Sequence, residues 1–329
     1  MSSATKALLF NTQSYRGWAE QLLLRMDLEA GEIQHKDFPD GEHYQRLITA
    51  VAERDVLIVS GTISDRETVE LFDLANAIVD GGAQRLRILL PYFGYSTMER
   101  AVKTGEAVKA KYRARLLSNG IPRAPLGNSI YLLDLHSEGI PQYFENGTHT
   151  THVYAKPIVM RVSQELFRRH SSQNNFVLAS TDAGRMKWVE SLAKDMGVSP
   201  AFAYKERIDG SSTVTLGISG PVQGKFVVIY DDMIRTGSSL INAARAYLAA
   251  GATAVAAVAT HALLPADALQ KIQESGLFAE IVVSDSHPRS RLLESEFLRV
   301  ESCVDLFIPY LNGNGMSSMT TKELGHANA

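Results

Sequence analysis

Five apolar residues in a row, Phe226 to Tyr230, leave a strand there with no wet face. A run of that kind, rich in valine and isoleucine, belongs in the interior of a parallel sheet covered on both sides. Asp231 and Asp232 stand where this strand is expected to end, and Thr236-Gly237-Ser238-Ser239 follows just before a helical pattern begins. A strand, a turn and a helix N-terminus together aim backbone N–H groups, hydroxyls and a positive dipole end at an anion. The paired carboxylates repel that anion and suit vicinal hydroxyls or a metal ion instead. A ligand with a phosphate at one end and a diol a few ångströms away is a sugar phosphate.

The same alternation runs along the chain. Ala7–Phe10, Val56–Ser60, Leu86–Pro91 and Ile130–Leu135 read as strands. Leu71, Leu74, Ala75 and Ile78 have helical spacing, closed by Gly81-Gly82, and Ala107–Leu117 reads as a helix with lysines and arginines on its wet face. A second set follows, with strands at Phe176–Ala179, Val255–Thr260 and Ile281–Ser284. Between them, Val189, Leu192, Ala193 and Met196 make a helical stripe that stops at Gly197. Such alternation implies an α/β fold with mainly parallel sheets. The two sets resemble each other: Ser129–His136 and Phe226–Asp232 are both apolar strands that run into polar residues. A boundary is expected near 150–157, where Gly147–His152 reads as a loop and Pro157 opens a helix.

The chain has 329 residues, enough for two ordinary domains. A net charge of −3 offers no basic field for nucleic acid and no polybasic membrane patch. No apolar run reaches the roughly 20 residues of a membrane helix, no secretion signal is read, and the lone Cys303 suits a reducing compartment. A cytoplasmic protein with neither nucleic-acid nor membrane partners is expected.

Further candidates for chemistry lie at turns. Phe38-Pro-Asp40-Gly-Glu42 makes an acidic turn that could accept hydrogen bonds from an amine, with Phe38 stacked on a base; a plain surface turn is the alternative. Asp134 and His136, at i and i+2 on a strand, would share a face and contact a metal or phosphate, or His136 is a structural histidine. Asp182 either caps the helix after it or presents its carboxylate to a metal. Lys205 and Arg207, beside the glycine- and serine-bearing stretch Asp209–Ser212, fit an arm that closes on polyphosphate, or a solvated charge cluster.

These pieces in this order resemble ribose-phosphate pyrophosphokinase, also called phosphoribosyl-pyrophosphate synthetase. The resemblance spans roughly Phe38 to Tyr310 through FPDGE (38–42), PYFGY (91–95), DLH (134–136), STDAG (180–184), KER (205–207), YDDMIRTGSS (230–239) and ATHALL (259–264). It implies two tandem phosphoribosyltransferase-like (type I) domains related by pseudo-twofold symmetry. These would be 1–152 with the ATP loop and 153–311 with the ribose 5-phosphate loop, followed by a disordered tail at 312–329. It implies Mg²⁺-dependent transfer of diphosphate from ATP, or another nucleoside triphosphate, to ribose 5-phosphate. Under it Phe38, Asp40, Glu42, Thr97, Met98 and His136 serve ATP, and His136 and Asp182 the metal. Lys205 and Arg207 are catalytic. Asp231, Asp232, Arg235, Thr236, Gly237, Ser238 and Ser239 hold ribose 5-phosphate. A homo-oligomer is implied as well, with the adenine loop of one subunit serving the site of a neighbour.

Two departures stand out. The common bacterial and animal enzymes carry an Arg-Gln pair after PYFGY that contacts ATP, where this chain has Thr97 and Met98. Arg235 replaces an aspartate of the phosphate loop. The segments Thr97–Arg100, Gly105–Ala107 and Ala114–Ser118 are closer to the plant-type second class, described as independent of activating phosphate and less strict about the donor. Two other readings are a non-catalytic synthetase-associated subunit, favoured by the lost Arg-Gln pair, and a phosphoribosyltransferase, opposed by the whole N-terminal half.

Overall fold

The structure, a computed structural model, describes residues 6–172, 176–207 and 214–312, with backbone alone at 205–207 and 214–216. The expected arm through Asp209–Ser212 and the expected tail past Asn312 fall outside the described residues. The chain forms two compact units, Met1–Tyr154 with Val304–Asn312, and Ala155–Cys303.

The first unit is built on β1 (Ala7–Asn11), β2 (Leu28–Ala30), β3 (Ile33–Asp37), β4 (His43–Leu47), β5 (Asp55–Val59), β6 (Arg85–Leu90), β7 (Asn128–Leu133) and β8 (His149–Val153). Its helices are α1 (Arg16–Arg25), α2 (Asp65–Asp80) and α3 (Lys109–Asn119). Six strands form a parallel sheet in the order β2-β1-β5-β6-β7-β8. The other two, β3 and β4, make a separate antiparallel hairpin. Helix α2 shows why the local pattern works. Ser64 caps its start by accepting from Glu67 N–H at 3.1 Å, and Leu71, Leu74, Ala75 and Ile78 are fully buried on one face. Each large aliphatic side chain there contributes roughly 2 kcal/mol by leaving water.

In the second unit, α4 (Lys156–His170) precedes β9 (Phe176–Ser180), α5 (Met186–Met196), β10 (Ser199–Arg207) and β11 (Val214–Ser219). Then come β12 (Phe226–Ile234), α6 (Ser238–Ala249), β13 (Ala254–Ala262), α7 (Ala268–Glu274), β14 (Ile281–Ser284) and β15 (Leu298–Glu301). The sheet order is β11-β10-β9-β12-β13-β14-β15, parallel except for the antiparallel β10–β11 edge. The chain steps one way from β9 to β10 and the other way to β12, so the order reverses between β9 and β12. In open α/β sheets the crevice beyond the carboxyl ends at such a switch point is where ligands bind.

Four expectations are corrected. Strand β12 does not stop before the aspartates but continues to Ile234, because Asp231, Met233 and Ile234 pair with Ala259, His261 and Ala262 of β13. The stretch at 147–152 is not all loop: from His149 it is an edge strand paired with β7. Helix α3 begins at Lys109 rather than Ala107. Glu106 accepts from the N–H groups of Val102 and Lys103 at 2.7 and 3.1 Å and ties off a loop first. Finally, Val304–Asn312 belongs with the first unit, not the second. Phe307 packs edge-on against Trp18, Arg25 Nε meets Asp305 at 2.9 Å, and Arg87 Nη1 donates to Leu311 O at 3.0 Å.

Candidate active site

In the second unit the acids converge where the topology predicts. Strand β9 ends at Ser180, and Thr181 follows it. Asp182, exposed, caps the single turn Ala183–Arg185, its Oδ1 accepting from Gly184 N–H at 2.7 Å. From β12, alternate residues face opposite sides, so Asp231 and Asp232 point differently. Asp231 Oδ1 accepts from Asp232 N–H, and its Oδ2 from Thr181 Oγ1, both at 2.9 Å. Burial first, and then the neighbouring Asp232 carboxylate, push the Asp231 carboxyl well above the usual range. Asp232 is 3% exposed and is gripped by Arg185, with Nε 3.2 Å from Oδ1 and Nη2 on Oδ2. The sequence reading passed over Arg185. No pattern marks it, since it lies between a turn and a helix and its partner is 47 residues away.

Past β12 the backbone turns through Arg235 and Thr236, both exposed, to Gly237 at φ 78°. A Cβ on Gly237 would lie 2.5 Å from Ile272 Cδ1, so glycine is needed there for space as well as conformation. Ser238 and Ser239 open α6, whose free N–H groups and dipole face an incoming anion. Thr236 Oγ1 and Ser238 Oγ lie 3.3 Å apart. Arg235 Nη2 is 3.8 Å from Met233 Sδ. Lys205 and Arg207 lie two apart on β10, their backbones paired with Leu216 and Val214 of β11.

The first unit holds the other candidates. Phe38–Glu42 closes the β3–β4 hairpin: Phe38 N–H donates to Glu42 O at 2.9 Å and Gly41 N–H to Phe38 O at 3.0 Å. Asp40 and Glu42 are exposed, Phe38 is half-buried, and Lys36 Nζ sits 4.6 Å from the Phe38 ring centroid. Asp134 and His136 do not share a face. Strand β7 ends at Leu133, and Asp134 takes φ 44° and is 1% exposed, whereas His136 is exposed. The turn is held by β8, where Val153 O accepts from Asp134 N–H at 2.8 Å and His152 Nε2 from Leu135 N–H at 2.9 Å. Reading 147–152 as loop hid this role of His152. Thr97 is half-buried and Met98 is 40% exposed. Next to them, Lys109 Nζ and the Arg113 guanidinium lie 4.7 and 5.1 Å from the Tyr95 ring centroid.

This unit has its own switch point, between β1 and β5, and it is filled. Thr12 Oγ1 donates to Glu67 Oε1 at 2.5 Å and Ser14 Oγ to Glu67 Oε2 at 2.8 Å. Glu67 is 5% exposed, and burial raises its carboxyl despite these two bonds. A carboxylate in that position excludes phosphate, so the two units offer different chemistry.

Residues 7–120 match the family described as the N-terminal domain of ribose phosphate pyrophosphokinase, and 182–303 match the phosphoribosyl synthetase-associated domain. The ribose-phosphate pyrophosphokinase of Mesorhizobium japonicum is 30% identical over 318 residues, covering 96% of this chain and 97% of that protein. The chain belongs to the ribose-phosphate pyrophosphokinase family. The Porphyromonas gingivalis enzyme of the same name is 28% identical over 309 residues, 93% of this chain and 94% of that one. A crystal structure of phosphoribosylpyrophosphate synthetase from Mycobacterium smegmatis shares the fold. Its TM-score is 0.83 at 24% identity, covering 95% of this chain and 100% of that chain. As in that family, the fold is α/β with two phosphoribosyltransferase-like domains. Among the described residues, no helix is long and apolar enough to cross a membrane.

Proposed function

We infer that the chain transfers the β,γ-diphosphate of ATP to the 1-hydroxyl of ribose 5-phosphate, giving 5-phosphoribosyl 1-diphosphate and AMP. The observation that carries this reading is the Asp231–Asp232 pair and the Thr236–Ser239 turn at the β9/β12 switch point, in a chain that aligns with pyrophosphokinases over nearly its whole length. The carboxylates suit the ribose hydroxyls. The turn, with the dipole of α6 and the Arg235 cation, suits the 5-phosphate. Phe38, Asp40 and Glu42 are assigned to adenine, and Thr97, Met98 and His136 to the rest of ATP.

The reaction demands position and charge rather than a protein nucleophile. The 1-hydroxyl oxygen attacks the β-phosphorus in line and gives up its proton to solvent, while the bond from that phosphorus to the α,β-bridging oxygen breaks and its electron pair leaves with AMP. Lys205 and Arg207 neutralise charge that develops on the transferring group. Mg²⁺, when bound, would neutralise the polyphosphate further, with His136 and Asp182 as its protein ligands. Asp182 suits such an ion: Gly184 N–H occupies one of its oxygens, and the exposed carboxylate fits a cation that keeps waters and substrate phosphates as its other ligands. Among the described residues no group of three or more His, Cys, Asp or Glu could hold a metal ion.

The reading extends to a cytoplasmic homo-oligomer in which each adenine loop serves a neighbouring subunit, and to the plant-type second class. Incubation with ribose 5-phosphate, Mg²⁺ and each nucleoside triphosphate in turn tests the core of it. Release of the nucleoside monophosphate is expected; none with any donor would leave the non-catalytic subunit as the better account. Activity that collapses on removing inorganic phosphate would sink the second-class assignment.

A further inference from the structure

Arg185 is a cation built into the acceptor site. Its side chain is 12% exposed and that of Asp232 4%. One guanidinium fork spans both carboxylate oxygens, Nε on Oδ1 at 3.2 Å and Nη2 on Oδ2. Such side-on pairs fix orientation as well as charge, and arginine stays protonated throughout the range of protein pH. Asp231, by contrast, is held by neutral donors, the Asp232 N–H and the Thr181 hydroxyl. The two adjacent acids therefore have different supports. Removing Arg185 would take its positive charge away from both acids, beside a turn that must admit a phosphate dianion.

We propose that Arg185 is a positioning residue for the acceptor: its grip aims Asp232 at the sugar hydroxyls and offsets carboxylate charge where ribose 5-phosphate must bind. This rests on the ribose 5-phosphate reading of the site. The clamp and the sugar can share Asp232, because each carboxylate oxygen can accept more than one hydrogen bond. The residue acts through Asp232, and the nucleotide does not depend on it.

The test uses the full chain as wild type, R185A, R185K, D232N, R185A/D232N and R185K/D232N. Calorimetry measures ribose 5-phosphate binding without nucleotide or metal, and kinetics give KM for each substrate. Misplacing the carboxylate that accepts from a sugar hydroxyl predicts about 10-fold or more weaker ribose 5-phosphate binding in R185A, the scale of a hydrogen bond to a charged group. KM for ATP should stay within about twofold and R185K should recover part of the loss. In the D232N background R185A should add less than about twofold, because the interaction is already gone. Wild-type-like ribose 5-phosphate affinity in R185A, equal rises in both KM values, or additive losses in the double variant would overturn the proposal. If R185A does not fold, R185K decides: its affinity must fall when position 232 is Asp and not when it is Asn. A wild type that binds ribose 5-phosphate but releases no AMP would count against the catalytic reading alone, and one that does not bind it would end both.

Discussion

Arg66, on the first turn of α2, holds Asp37 at the turn end of the β3–β4 hairpin, its Nη2 3.3 and 3.2 Å from the two carboxylate oxygens. His43 Nδ1 joins Asp37 Oδ1 from the other strand at 2.7 Å. The hydrogen bonds from His43 and then Arg66 draw the Asp37 carboxyl below its usual range. The turn proposed for adenine is thus pinned by exposed charges at the strand pair from which it springs. Arg66→Ala should raise KM for ATP roughly 2- to 5-fold, the scale of an exposed ion pair, and leave KM for ribose 5-phosphate unchanged. High salt should narrow the difference from wild type. An unchanged KM for ATP would mean that the loop is oriented by something other than this pin.

Gly237 makes a sharper claim. A side chain there must adopt φ 78° and place its Cβ 2.5 Å from Ile272 Cδ1. Gly237→Ala should cost about 2–3 kcal/mol of stability, the sum of a left-handed backbone and a small overlap. Because the same turn presents the N–H groups of α6, ribose 5-phosphate affinity should fall well beyond what the stability loss explains. Urea unfolding and calorimetry on one preparation would check both, and a variant that binds normally would remove the turn from the acceptor site.

Tyr247 ties helix α6 to the end of β9, its buried hydroxyl donating to Ser180 O at 2.7 Å. Tyr247→Phe leaves that carbonyl without its donor in a place water does not reach, at a cost of about 1–2 kcal/mol. Since Ser180 precedes Thr181 and Asp182, the variant should also weaken ribose 5-phosphate binding a few-fold. Unaltered unfolding by urea would show that the carbonyl finds another partner.

What could be read from the chain, and what could not, divides along the source of the signal. Strand β12 and helix α2 announce themselves because burial imposes an unbroken apolar run on one and a stripe on the other. The β3–β4 hairpin does not: IQHKD and HYQRL are polar and largely exposed, so no periodicity betrays them, although FPDGE between them reads plainly as a turn. The site splits likewise. Asp231, Asp232 and Gly237 sit in one local motif, but Arg185 and His152 matter through partners 47 and 17 residues away. The misjudged face of Asp134 and His136 has a local cause, since a single positive φ ends the strand alternation that the i, i+2 argument needs.

His287 carries a pH dependence whose sign can be worked out. Burial first, then the charges of His261 and Arg289, lower its pKa to about 4. Its Nδ1 accepts the Arg289 N–H at 3.2 Å, which requires that nitrogen to be unprotonated. An unfolded histidine titrates near 6.5. Between that value and the folded one, the unfolded chain binds a proton that the folded chain refuses, so acid favours unfolding. The stabilisation is complete above about pH 6.5 and is lost as pH falls towards 4, by about 2–3 kcal/mol at pH 4.5. His287→Asn keeps an acceptor for Arg289 and abolishes the titration. Urea unfolding from pH 7.5 to 4.5 should show the wild type losing that much more stability than the variant, with the two alike above pH 7. Parallel slopes across the range would mean that His287 accepts its proton without leaving the fold.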